Sequence, residues 1–132
     1  MSHAIHDLSL LLSQMQPVLN PGQYVFCSLH EQTLPQDVIP LATFREQEGL
    51  TVVLAKQDAD RLALSYTYVA AWITLNVHSA LEAVGLTAAF SNALAQQGIS
   101  CNVVAGFYHD HLFVAEADQA CAMTALLTLA GQ

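Results

Sequence analysis

Three groups of residues in this chain have types and spacings suited to chemistry. The first is His109-Asp110-His111. Two imidazoles one residue apart fall on the same side of an extended segment and can share a metal ion. A metal site takes three or four ligands, and the second half of the chain adds only His78, while Cys27, Cys101 and Cys121 have no CxxC partner. No metal is therefore expected. The plainer reading is a solvated hairpin tip, with Asp110 favouring a turn and the imidazoles bonded to neighbours. A third reading lets His109 or Asp110 reach a small ligand, Asp110 taking its ammonium group.

The second group is Cys101-Asn102, which with a distant histidine has the parts of a thiol nucleophile. A cysteine at a strand start behind an apolar helix is usually inert, so packing is the expected role. Glu82, Asp110, Glu116 and Asp118 supply no acid-base couple, because the last two read as first-turn residues of the final helix. No catalytic residue is expected. A small metal-dependent enzyme using His109 and His111 is the remotest alternative. The third group is Val84-Gly85-Leu86-Thr87. Gly85 lets a backbone approach closely, and the N–H groups of Leu86, Thr87 and Ala88 would open a helix, where unpaired donors and the helix dipole favour a carboxylate. The same residues fit a tight turn at Gly85 with Thr87 as the helix cap.

Charge narrows the choice of ligand. The formal net charge is -8, and all three basic residues, Arg45, Lys56 and Arg61, precede Leu62. Nucleic acid and anionic membrane are excluded as partners, since both are bound through Lys and Arg. An anionic small molecule in the second half would have to use backbone N–H groups, hydroxyls, amides or imidazoles. Apolar runs are interrupted well short of the roughly 20 residues that cross a bilayer. Met1 to Gln16 has no basic residue and carries Asp7, unlike a secretory signal. A cytoplasmic location with reduced thiols is expected.

The elements that must position these groups follow from periodicity. Ile5, Leu8, Leu11, Leu12 and Met15 mark an amphipathic helix ending before Pro17, and Asn20-Pro21-Gly22 predicts a turn. Tyr24 to Leu29 predicts a strand. His30 to Pro40 predicts a loop with at most one helical turn near Pro35 to Val38. Leu41 to Glu46 and Leu50 to Ala55 predict a hairpin around Gln47-Glu48-Gly49, followed by a short helix from Lys56 to Leu64 with Asp58 or Asp60 as cap. Val69 to His78 alternates, with Val69, Ala71, Ile73, Leu75 and Val77 on the buried side and Ala70, Trp72, Thr74, Asn76 and His78 on a face that lines a cavity or meets another sheet. Leu86, Phe90, Ala93 and Leu94 recur at helical spacing up to Gly98. Cys101 to Phe107 and Leu112 to Val114 predict a hairpin tipped by Tyr108 to His111, and Ala117 to Leu129 a last helix. The order indicates an α+β sandwich with the helices on one face of an antiparallel sheet.

The stretch GLTAAFSNALAQQGISCNVV followed by HDHLFV resembles small bacterial proteins built from two ACT-like modules. It is similar in outline to the regulatory ends of aspartokinases and to the cytosolic arginine sensors of animals. The likeness is close from Trp72 to Leu129 and weaker from Tyr24 to Leu64. It implies ferredoxin-like βαββαβ units that bind amino acids or similar effectors where modules meet, without a cofactor. The positions implied for the ligand are Val84, Gly85, Leu86 and Thr87 in the turn, with Asn102, Val103 and Val104 opposite. Only Gly131 and Gln132 remain for the module's final strand, which must come from the first half, interlocking the two modules. The expected division is an N-terminal helix over 1–20, a degenerate module over 21–65 and a second module over 66–132. The last helix is apolar around more of its circumference than one sheet covers, so a homodimer is expected. The resemblance thus implies a regulatory amino-acid sensor, with a ligand-free adaptor as the alternative.

Overall fold

The computed structural model describes residues 7–77 and 83–131. Its elements are α1 (Leu8–Gln14), β1 (Pro17–Leu29), β2 (Ala42–Arg45), β3 (Leu50–Ala55), α2 (Lys56–Arg61), β4 (Val69–Leu75), α3 (Leu86–Gln96), β5 (Asn102–Ala105), β6 (Asp110–Ala115) and α4 (Gln119–Leu129). The chain divides into two compact units: residues 1–21 with 71–132, and residues 22–70. The architecture is α+β with antiparallel strands, as tandem ferredoxin-like modules require.

In the unit of residues 1–21 and 71–132 the strand order is β1-β4-β6-β5. The Asn76 N–H donates to the Gln16 carbonyl at 2.8 Å, and the Asn20 Nδ2 donates to the Trp72 carbonyl at 3.3 Å. Numbers rise along one strand as they fall along the other, so β1 starts antiparallel to β4. It thus lies beside β4 at the edge of this unit's strands. From Ala71 on, β4 alternates as expected, with Ala71, Ile73 and Leu75 buried while Trp72 and Thr74 are half-buried; at its start the expectation fails, since Ala70 is fully buried and Val69 only half-buried. The core joins these residues to Leu11 and Met15 near α1, Phe90 and Leu94 of α3, Leu112 and Val114 of β6, and Leu126 of α4. Asp7 caps α1 by accepting from the Leu10 N–H at 2.9 Å.

In the unit of residues 22–70 the order is β2-β3-β1. Tyr24 to Leu29 pairs antiparallel with Leu50 to Ala55, so Val25, Cys27 and Leu29 share the face of Val52 and Leu54 and pack on Ala59 of α2. The short α2 is tied by Lys56 Nζ to Asp60 at 2.9 Å and by the Tyr66 hydroxyl to Asp60 at 2.6 Å.

Three local expectations are corrected. Asn20-Pro21-Gly22 is not a turn but part of β1, which continues because Gly22 takes φ +105°, a conformation open to glycine, directly after a proline that has no N–H to pair. Neither Asp58 nor Asp60 caps α2: the helix begins at Lys56 with Ala55 at the cap position and no side-chain cap bond, which puts both carboxylates inside it. The β5–β6 hairpin turns on Phe107-Tyr108, closed by the Gly106 N–H donating to the His109 carbonyl at 2.9 Å. Asp110 and His111 are therefore strand residues, and the tip is aromatic and exposed rather than polar.

Candidate functional site

The turn before α3 has a defined geometry. Gly85 is the cap residue, with φ 102° and ψ -18°, and its carbonyl accepts the first helical bond from the Ala89 N–H at 2.9 Å. No side chain caps the helix, so Thr87, exposed in the first turn, does not play that part. Leu86 is buried in the core, which fixes the start of α3, while Val84 is 83% exposed. Leu8 of α1 lies against the turn: a Cβ on Gly85 would stand 3.0 Å from the Leu8 Cδ2. Glycine is thus favoured here by its backbone angle, and a Cβ would in addition press on the flexible end of Leu8. The amides of the first helical turn are the donors from which an anion site can be built.

The other expected residues divide between the ends of the β5–β6 ladder. Ala105 pairs with Asp110 at the tip, and Asn102 pairs with Phe113 at the far end, roughly 10 Å along the strand. Asn102 is exposed, Val103 packs partly on the core and Val104 is half-buried. His109 is held at the tip end, its Nδ1 3.3 Å from the Val77 carbonyl just beyond β4. The structure therefore brings His109 and Asp110 to the end of β4 and leaves Asn102 at the other end. Asp110 is half-buried, and that burial pushes its carboxyl above the usual carboxylate range, while the nearby His111 and His109 pull it down.

One constellation was not singled out from the sequence. The Trp72 Nε1–H donates to the His111 Nδ1 at 3.1 Å, the Thr74 Oγ1 lies 3.1 Å from the same nitrogen, and the Asn20 Nδ2 donates to the Thr74 Oγ1 at 3.0 Å. The alternation of β4 placed Trp72 and Thr74 on one face, but pairing them with His111 needs the strand order, which the sequence does not display. His78, expected on that face, lies outside the described residues. Among the described residues no three of His, Cys, Asp and Glu come together as a metal site. Burial pushes the Cys101 thiol up to about 11, away from the thiolate form that a nucleophile needs. A groove of about 330 Å³ runs between α3 and α4, lined by Ala93, Gln96, Cys121, Thr124 and Thr128 among others.

Comparison with known proteins bears on the whole chain. No curated protein matches it in sequence. Among solved structures, a protein of unknown function from Vibrio cholerae, described as a possible transport protein, is 48% identical over 93% of this chain and 95% of its own, with a TM-score of 0.82. A protein from Agrobacterium tumefaciens is 19% identical, covering 88% and 89%, with a TM-score of 0.68. A C-terminal regulatory domain of aspartate kinase from Porphyromonas gingivalis is 12% identical, covering 91% and 99%, with a TM-score of 0.60, a likeness of fold alone. Among the described residues no helix is long and apolar enough to cross a membrane. Two models of the ACT domain match in tandem, over residues 3–71 and 67–128, and the chain is accordingly a member of the ACT-domain family.

Proposed function

We propose that this protein is a non-catalytic regulatory unit that binds an amino acid or a closely related metabolite and acts in the cytoplasm as a homodimer. The ligand's carboxylate sits on the amides that follow Gly85, within the turn Val84 to Thr87, and its ammonium group is taken by Asp110 or the neighbouring His109. The observation that carries this reading is the start of α3, led by a left-handed glycine and without a side-chain cap. The ACT family and its fold-level likeness to aspartokinase regulatory domains support a small-molecule role. E. coli aspartokinase III, a neighbour in fold at 9% identity and a TM-score of 0.67, is known in complex with aspartate and ADP. Binding regulates by tightening one arrangement of the molecule over another, because a ligand shifts an equilibrium only through differential affinity.

Thermal unfolding in the presence of each of the twenty amino acids tests the reading. A ligand at 100 times its Kd stabilises by about 2.7 kcal/mol, an upward shift on the order of 10 °C for a chain of this length. No shift with any of them at millimolar concentration refutes it. A ligand-free adaptor is the second reading, favoured by Leu8, which packs against the Gly85 turn and occupies part of its surroundings. A bulky residue at Gly85 separates the two: ligand-induced stabilisation lost with assembly kept supports sensing, and assembly alone lost supports the adaptor.

A further inference from the structure

We infer that Trp72, Thr74 and His111 form a proton-responsive latch between β4 and β6, in which protonation of His111 releases the Trp72 indole and leaves the imidazole bonded to Thr74 alone. The argument starts from what each group can donate. An indole N–H is a donor and never an acceptor, so the His111 Nδ1, 3.1 Å from Trp72 Nε1, must carry a lone pair. The neutral ring then holds its proton on Nε2. Thr74 Oγ1 accepts from Asn20 Nδ2 at 3.0 Å and turns its own hydrogen to the same His111 nitrogen at 3.1 Å. Two donors on separate atoms of β4 thus converge on one acceptor atom of β6.

A proton taken from solvent adds to that lone pair, and no other bond is made or broken covalently. Nδ1 becomes a donor. It can reverse its bond to Thr74, whose oxygen has a second lone pair, but faces Trp72 N–H to N–H, so the indole contact is lost. The ring has a defined seat: Cδ2 and Nε2 lie against Gly106, where a Cβ would stand 3.3 Å from each. It lies 5.8 Å from the Trp72 ring at a 46° tilt, so a small rotation changes the indole's surroundings. The described groups around His111 include Trp72 and Thr74 on β4, Asn20 behind Thr74 on β1, Val104 and Gly106 on the β5 side, Asp110 on its own strand and His109 just before it. Of these, Asp110 and His109 are the titratable groups. Burial pulls His111 below the ordinary value of 6.5, His109 adds to that, and Asp110 opposes it. The neutral, latched form therefore holds at neutral pH, and acidification opens it. The readout of the latch needs no effector, so it is tested independently of the proposed ligand.

Trp72 is the single tryptophan of the chain, so its signals report on the latch directly. The experiment follows the ¹⁵N indole cross-peak and the fluorescence of the full chain from about pH 8 to about pH 5, with far-UV circular dichroism checking that the fold persists. The expected result is a one-proton transition centred below the ordinary histidine value, with the indole proton moving upfield as it loses its acceptor. His111→Asn, which keeps an acceptor oxygen near the position of Nδ1 but does not titrate, abolishes the step, and His109→Asn retains it with the midpoint moved upward, because a group that opposes charging of His111 is gone. An indole peak that stays fixed in the wild-type chain overturns the inference. So does a step that persists unchanged in His111→Asn, and the wild-type titration decides alone if that variant does not fold.

Discussion

Replacing Gly85 with alanine tests whether the start of α3 is held by conformation or by packing. At φ 102° a Cβ is forced against its own backbone, which costs about 1–2 kcal/mol. The new methyl would also stand 3.0 Å from the Leu8 Cδ2, the free end of a flexible side chain, which yields at a cost of about 0.5–1 kcal/mol in rotamer strain. The total is about 2 kcal/mol. Scaled to 132 residues, the entropy of unfolding is on the order of 280 cal/mol/K, so the midpoint of thermal unfolding falls by about 7 °C. Urea unfolding gives the free energy independently, with the slope unchanged. Leu8→Ala made in the same background separates the terms: it relieves the contact but not the backbone, so the double mutant recovers at most about 1 kcal/mol of coupling. A loss below about 0.5 kcal/mol, or complete recovery in the double mutant, refutes the assignment of strain to Gly85. The same variant bears on ligand binding, because any shift in the backbone at Gly85 moves the amides that follow it.

The remaining predictions concern the thiols and the interlock. Alkylation near pH 8 with mass-spectrometric mapping should modify Cys121, which is exposed, and spare Cys27 and Cys101, whose thiols burial pushes up; equal labelling of all three would contradict the core described here. Residues 66–132 expressed alone should not fold, because they lack the start of β1 beside β4 and also Leu11 and Met15, both fully buried in the same core. Losing two such side chains removes roughly 4–10 kcal/mol, comparable to the whole stability of a domain. A cooperative thermal transition in that fragment would show the interlock to be dispensable.

The parts legible in the sequence were those written in local pattern. Ala71, Ile73 and Leu75 alternate against Trp72 and Thr74, and that period alone identifies β4 and its buried side. Gly85 and Gly98 bracket α3 because both take positive φ, a demand that only glycine meets at low cost. Local signals mislead where they compete with a partner remote in sequence. Pro21-Gly22 has turn chemistry, yet β1 runs through it because pairing to β3 and to β4 continues on either side. Tyr108 to His111 has the polarity of a loop, but register places Asp110 opposite Ala105 and His111 opposite Val104, and the two-residue turn falls on Phe107-Tyr108 instead. The Trp72–His111 pair spans 39 residues of sequence and becomes visible only when β4 and β6 are known to be neighbours.

The charge pattern limits which effector the proposed site can take. Beyond Leu62 the chain has no Lys or Arg, so none of α3, β5, β6 and α4 supplies a Lys or Arg cation to an anion at Gly85, and the chain as a whole carries a formal charge of -8. A helix start contributes about 0.3–1 kcal/mol toward an exposed negative group. An acidic side chain about 10 Å away opposes it by about 0.4 kcal/mol in water, and salt screens both. With long-range terms so nearly balanced, affinity rests on short hydrogen bonds to the amides. A second carboxylate on the ligand would add repulsion without adding a partner. An ammonium group gains from Asp110, whose half-buried carboxyl is destabilised as an anion and is relieved by a cation beside it. On the proposed placement of the ligand, this chemistry would select a net-neutral zwitterion over a dicarboxylate.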